Sequence, residues 1–261
     1  REPYDPQNFL ASGNIDYYIN SKHSIGFGGR WNTRKSTRAI DNITNIIKPN
    51  QTDVLFSENY LDKNRRNFNI NPYYEYKTEN DKFVLDFNYV DFNDNTMNVL
   101  SDKIGSSIPF SDRKYIQDGT FKIKTYRVDY TKTFSDHLKI SAGSRYADIK
   151  TDNDLQSFLE NGSSFNKVDN ESSRFVVEET IFALYSKVNT TYGKWSFSGG
   201  IRYEDSNTKG TSTFLINQTL TSQTQKRPIK KIFPSASVSR KLTDVLGTSI
   251  SYRYRIQRPS Y

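Results

Sequence analysis

Long and short connections alternate along this chain, and few folds allow that. Apolar and polar residues alternate with period two in ten stretches, about 8–19, 24–32, 64–77, 83–94, 119–133, 138–150, 174–191, 195–206, 229–241 and 246–257, and no long window carries a helical period. Five of the connections between them are short and polar: "NSKH" (20–23), "TEND" (78–81), "SDH" (135–137), "YGK" (192–194) and "TDV" (243–245). Four are long, at 33–63, 95–118, 151–173 and 207–228, and short and long take turns along the whole chain. A soluble sandwich mixes hairpins with Greek-key crossings and gives its loops no reason to alternate in length. An up-and-down barrel in an outer membrane does, because all turns at one face are short and all loops at the other are long. The expected fold is therefore all-β: an antiparallel up-and-down meander of about ten strands, part of a transmembrane outer-membrane β-barrel, with 1–261 as a single partial β-barrel domain.

Composition fits such a wall. Only 34% of the 261 residues are hydrophobic, while Tyr (18) and Phe (17) are plentiful, as expected where only every second strand residue meets lipid and aromatic girdles mark the two interfaces. There are no cysteines, which excludes a disulfide framework and thiolate metal sites. The formal charge of +8 comes from dispersed Lys and Arg, with "KNRR" (63–66) and "QKRPIKK" (225–231) as the densest runs, so no nucleic-acid footprint forms. The opening "REPYDPQNFL" has no apolar core and no run of eighteen apolar residues exists, so neither a signal peptide nor a membrane-spanning helix is expected within the chain.

Single strands show which face is which. In 195–205, Trp195, Phe197, Gly199, Ile201 and Tyr203 share one side, and Ser196, Ser198, Gly200, Arg202 and Glu204 the other. In 246–256, Leu246, Thr248, Ile250, Tyr252, Tyr254 and Ile256 oppose Gly247, Ser249, Ser251, Arg253 and Arg255, and in 83–89 Phe83, Leu85, Phe87 and Tyr89 oppose Val84, Asp86 and Asn88. A sandwich strand alternates in the same way. The arginines carry more weight: Arg145, Arg202, Arg253 and Arg255 all fall on the polar side, as a wet lumen requires. Three strands repeat one phrase after a short turn: "GGRW" (28–31), "GSRY" (143–146) and "GIRY" (200–203), each placing an aromatic where an interface is expected.

The stretches "EETIFALYSKVNTTYGKWSFSGGIRYEDSNTKG" (178–210), "IFPSASVSRKLTD" (232–244) and "SISYRYRIQRPSY" (249–261) resemble the barrel region of TonB-dependent outer-membrane receptors, in the subgroup described as an outer-membrane β-barrel family. The likeness is most specific at Gly193, Trp195, Gly200, Arg202, Tyr203, Glu204, Phe233, Pro234, Ser235, Arg258, Pro259 and Tyr261. It implies a central slice of a barrel of roughly 22 strands, with plug domain and signal peptide outside this chain. It also implies import of a large polar solute (glycan, peptide or metal chelate) in the outer membrane of a Gram-negative bacterium, without enzymatic activity. The implied partners are outer-membrane lipid, the polar solute, the TonB energy-coupling complex acting through the plug, and a surface lipoprotein. The alternative is a non-transporting outer-membrane or soluble β-rich ligand-binding or adhesion protein.

Little in the sequence carries chemistry, and no catalytic, metal, cofactor or ligand-binding residue stands out. The only histidines, His23 and His137, sit at short turns, where turn-capping is the expected role. "DFNDNTMNVLSD" (91–102) has Asp91, Asn93 and Asn95 at calcium-loop spacing, but Thr96 stands where Gly is needed, so an Asn/Asp-rich surface loop is expected. The triplets at Asn42, Asn161 and Asn217 are expected by chance, and neither G-x-S-x-G nor a phosphate-binding loop occurs. Whatever ligand site the chain contributes is expected on the four long connections, facing outward from the cell.

Overall fold

The computed structural model describes residues 4–49, 51–104, 112–216 and 219–256. They form one antiparallel sheet: β1 (Tyr4–Tyr18), β2 (His23–Lys48), β3 (Gln51–Lys77), β4 (Asp81–Ile104), β5 (Arg113–Ser135), β6 (Leu138–Asn161), β7 (Ser164–Lys167), β8 (Ser173–Tyr192), β9 (Trp195–Ile216), β10 (Thr219–Lys241) and β11 (Gly247–Arg253). Each strand pairs with its sequence neighbours, except that short β7 folds back on β6 and β8 takes the next place in the sheet. The only helical turn among the described residues is a 3-10 turn, Asp169–Glu171. The meander is as expected, with eleven strands in place of ten.

The short turns are tight. Gly193 takes a left-handed φ of 57° between β8 and β9, where a side chain would be strained. Asn20 receives the backbone amides of Lys22 and His23 between β1 and β2.

The long connections differ from expectation. Most of 33–63, 95–118, 151–173 and 207–228 is strand, paired in register from Arg34–Arg65 up to Lys48–Gln51 and from Asn207–Pro228 up to Ile216–Thr219. The physical reason is that these hairpin ends have left the lipid. With water on the outer side, Asn, Asp, Ser and Thr occupy both faces, the period-two signal vanishes, and backbone pairing persists without it. The calcium-loop spacing at 91–102 accordingly lies in an extended ladder, pairing Asp91 with Phe68 and Asn95 with Asn64, and cannot wrap an ion. Asn217, Arg258, Pro259 and Tyr261 lie outside the described residues, as does the centre of 95–118.

The register sets the two faces. Residues directly opposite share a side, so Tyr17, Ile25, Tyr74, Leu85, Val128, Ser144, Leu184, Tyr203 and Ile232 make one continuous outer row. Further from the short turns, Tyr126, Tyr146 and Phe182 stand in line, and beyond them the outer side becomes ionic, with Lys122 3.7 Å from Asp91 and Lys209 3.7 Å from Glu178. At the opposite boundary Trp195 stacks under Arg240, 4.8 Å from the ring centre. On β9 the apolar band runs from Trp195 to Tyr203, matching the roughly 9–11 tilted residues that cross a bilayer. Strands of 20–27 residues, β2 to β6 and β8 to β10, thus project well beyond the membrane at the long-hairpin end.

The polar side is the buried one. Glu204, Ser206, Glu179, Thr125 and Thr151 are buried there with Ala147, Val177, Ala183 and Phe233, whereas Ile15, Leu85, Leu184, Ile201 and Ile250 are exposed on the other side. Among the described residues no second layer covers them, so their burial comes from the curl of the sheet, which crowds inner side chains against one another. The sheet is not closed: among the described residues β1 pairs only with β2 and β11 only with β10.

Candidate functional site: the concave polar wall

The inner face is built from the repeated Gly-x-Arg-aromatic phrase. On β2, β6 and β9 the glycine and arginine point inward and the aromatic outward. Gly143 shows why the glycine is needed. A Cβ there would meet Asp129 Oδ1 at 2.5 Å, Tyr185 Cε2 at 2.6 Å and the Val128 carbonyl at 2.7 Å. The Tyr185 ring lies across this gap from β8, and its hydroxyl donates to Asp129 on β5 at 2.6 Å. The same three-strand arrangement recurs at β1–β3, where Tyr73 crosses Gly26 and donates to Asp16 at 2.5 Å. Each set is an Asp, a Gly and a Tyr in one row across three strands, and the matching register is what brings them together. No sequence spacing signals it.

Next to the first of these sets lies a polar concavity of about 740 Å³, lined by Arg30, Arg127, Arg145, Asp86, Asn69, Asn71 and neighbouring small residues. Asn71 does two jobs there. Pro72 has no amide hydrogen and the β3–β4 ladder skips it. The Asn71 amide instead donates to the Phe87 carbonyl at 2.8 Å and to Asp86 at 2.9 Å. Arg127 sits 3.2 Å from Asp129 and 3.8 Å from Asp86. Toward β9, Arg202 donates to the buried Glu204 at 2.9 Å and stacks on Tyr185.

At the long-hairpin end one tip is folded rather than plain. Gly162 turns with φ 69°, β7 returns along β6, and Glu171 reaches back to accept from Arg113 at 2.7 Å and from the fully buried Ser157 at 2.9 Å. On the other face of the same hairpin, Lys114 lies over the rings of Phe158 and Phe165. The hydrogen bond from Arg113, then that from Ser157, hold the Glu171 carboxyl below its ordinary value of 4.5. A depressed carboxyl stabilises the folded tip above the unfolded value and loses that contribution as pH falls through the lower, folded value. The protection factors of residues 157–172, with exchange corrected for its intrinsic pH dependence, are therefore expected to hold from neutral pH down to about 4.5 and to fall below it, and Glu171→Gln should lower them already at neutral pH. Unchanged exchange in both cases would remove Glu171 from the role of latch.

His23 and His137 do not form a joint site. His23 Nδ1 lies 2.7 Å from the Tyr74 hydroxyl and His137 Nδ1 3.0 Å from Thr191 Oγ1, each fastening a turn to a neighbouring strand. Among the described residues no cluster of three His, Cys, Asp or Glu side chains is arranged to hold a metal ion. Sequence reasoning placed Arg145 and Arg202 on the wet side but missed Arg30, Arg127 and the amides. The "GGRW" phrase was the available signal for Arg30.

An apolar belt outside, a charged and hydroxyl-bearing wall inside and membrane-length spans define a segment of a transmembrane β-barrel. A family model for the outer membrane protein beta-barrel family matches residues 74–261, and the chain belongs to that family. It lies in the outer membrane of a Gram-negative bacterium. No curated protein matches the sequence. Among solved structures, the chain is similar to the closed form of the ferric-catecholate import receptor Fiu of E. coli K12, at 8% identity and a TM-score of 0.60, with 97% of this chain and 49% of that one covered. It is also similar to the ferric yersiniabactin uptake receptor FyuA of Yersinia pestis, at 10% identity and a TM-score of 0.53, with 93% and 44% covered. The chain thus shares their barrel fold and spans less than half the length of either.

Proposed function

We propose that this chain is part of the wall of an outer-membrane receptor that imports a large polar solute, without catalysis, coupled through a plug to the TonB energy-transducing complex. The observation that carries the reading is the inner face: a concavity lined by arginines and amides, on the reverse of a lipid-facing belt, is suited to a hydrated solute. The import roles of the two similar receptors support the direction of transport. A surface lipoprotein seated on the projecting hairpins is part of the same reading. The open edges at β1 and β11 belong to it too. Unpaired backbone groups in lipid cost several kcal/mol each, so we infer that further strands pair with both edges and complete the barrel.

The test compares cells lacking the protein with cells expressing it, for accumulation of iron-labelled chelates, oligosaccharides and peptides. Uptake of one class should fall in the null strain and in expressing cells treated with a protonophore. Equal uptake of all three classes in both strains would overturn the transport reading and favour surface binding alone. Protease added to intact cells should cut at the Gly162 tip before it cuts the turns at 78–80 or 193–194; the reverse order would invert the topology.

A further inference from the structure

Resting on the transport reading, we propose that Arg30, Arg127 and Arg145 form a binding site for a polycarboxylate solute on the inner wall. All three line the one concavity of about 740 Å³, with Asp86 as the only carboxylate among its lining residues. Arg127 and Arg145 are direct cross-strand partners on β5 and β6. Like charges directly opposite on a sheet are destabilising, and the exposed position of both guanidinium groups leaves them open to an anion from solution. Something must offset the repulsion.

The described residues supply only part of the offset. Asp86 is already held by the Asn71 amide at 2.9 Å and approached by Arg127 at 3.8 Å, and Asp129 takes Arg127 at 3.2 Å and the Tyr185 hydroxyl at 2.6 Å. Neither Arg30 nor Arg145 makes a hydrogen bond, ion pair or ring contact with another described residue, and both side chains are exposed to the concavity. The guanidinium fork matches a carboxylate through two parallel hydrogen bonds. Two free forks and a third partly engaged one, with Arg127 and Arg145 directly opposite each other and Arg30 on the same concavity, therefore suit a compact ligand that presents two or three neighbouring carboxylates. The glycines of the repeated phrase keep the floor low: Gly28 stands beside Asn14 on the lining, and Gly143, two residues from Arg145, leaves its space to the Tyr185 ring. The repeat read as architecture in the sequence thus also delivers two of the three cations.

Tricarballylate, a tricarboxylate that chelates metals weakly, is the probe, titrated calorimetrically into the full-length protein in nanodiscs at low salt. Arg145 is the residue to change, since removing Arg127 would strand Asp86 and Asp129. Arg145→Gln should weaken binding about tenfold or more, as expected for loss of a charge-assisted bidentate contact, while Arg145→Lys should retain part of the affinity. Arg66→Gln, on the outer side, should match the parent protein. Heat-modifiable migration on gels reports that each variant is folded. Absence of binding to the parent protein, or equal affinity in the folded Arg145→Gln variant, would overturn the site. The two readings fail separately: binding that depends on Arg145 without any solute uptake keeps the site and removes the transporter, whereas uptake with no tricarballylate binding does the opposite.

Discussion

Replacing Ile201 by Arg should nearly abolish membrane assembly, whereas Ser198→Arg, on the inner side of the same strand, should assemble well. Ile201 lies on the outer row, half exposed at 51%, within the apolar band between Trp195 and Tyr203. Its cross-strand partners are Ser186 and Pro234, so no carboxylate of either partner is available to an arginine placed there. A guanidinium at mid-depth on the lipid side costs about 2–4 kcal/mol, equivalent to a loss of about 30- to 1000-fold in the folding equilibrium. Ser198 borders a concavity lined by hydroxyls and amides, including Ser237, Asn189 and Thr191, where a charged side chain keeps water. The measurement is the folded fraction after refolding into vesicles across a urea series. Similar loss in both variants would contradict the assignment of faces, and greater loss for Ser198→Arg would invert it.

The second large effect is expected at Gly143. Alanine there places a methyl against a carboxylate oxygen, an aromatic ring and a backbone carbonyl, all within 2.7 Å. The ring could swing only by giving up its 2.6 Å bond to Asp129, and the carbonyl belongs to the β5–β6 ladder. Overpacking of this kind costs typically 1–3 kcal/mol. Gly199→Ala is the matched comparison: the added methyl meets nothing within 4 Å and the residue lies on the outer side of β9, two places along the sheet. Unfolding in urea should shift markedly for Gly143→Ala and little for Gly199→Ala. Tyr185→Phe in the Gly143→Ala background should recover little, because the ring itself still fills the gap. Equal midpoints for the two glycine variants would show that the Asp–Gly–Tyr row is not a fixed joint.

Much of this protein is legible residue by residue. The short turns fell within a residue or two of their observed places, because "YGK" and "SDH" interrupt alternation where a tight reversal needs polar or left-handed residues. The outward set Trp195, Phe197, Ile201 and Tyr203 and the inward Arg202 follow from period two alone, since a strand has only two sides and lipid tolerates only one kind of residue. The stretches at 33–63 and 207–228 were illegible for the complementary reason: water on the outer side removes the contrast that marks a strand, while the backbone goes on pairing. The register, by contrast, emerges only once the strands are assembled. It sets Tyr185 across Gly143 and Tyr73 across Gly26, lets Asn71 serve the carbonyl that Pro72 leaves without a donor, and gathers Arg30, Arg127 and Arg145, more than a hundred positions apart from first to last, around one concavity. A local pattern fixes which side of a strand a side chain takes, but which side chains meet depends on the stagger between strands, and that is set by the packing of the whole curved sheet.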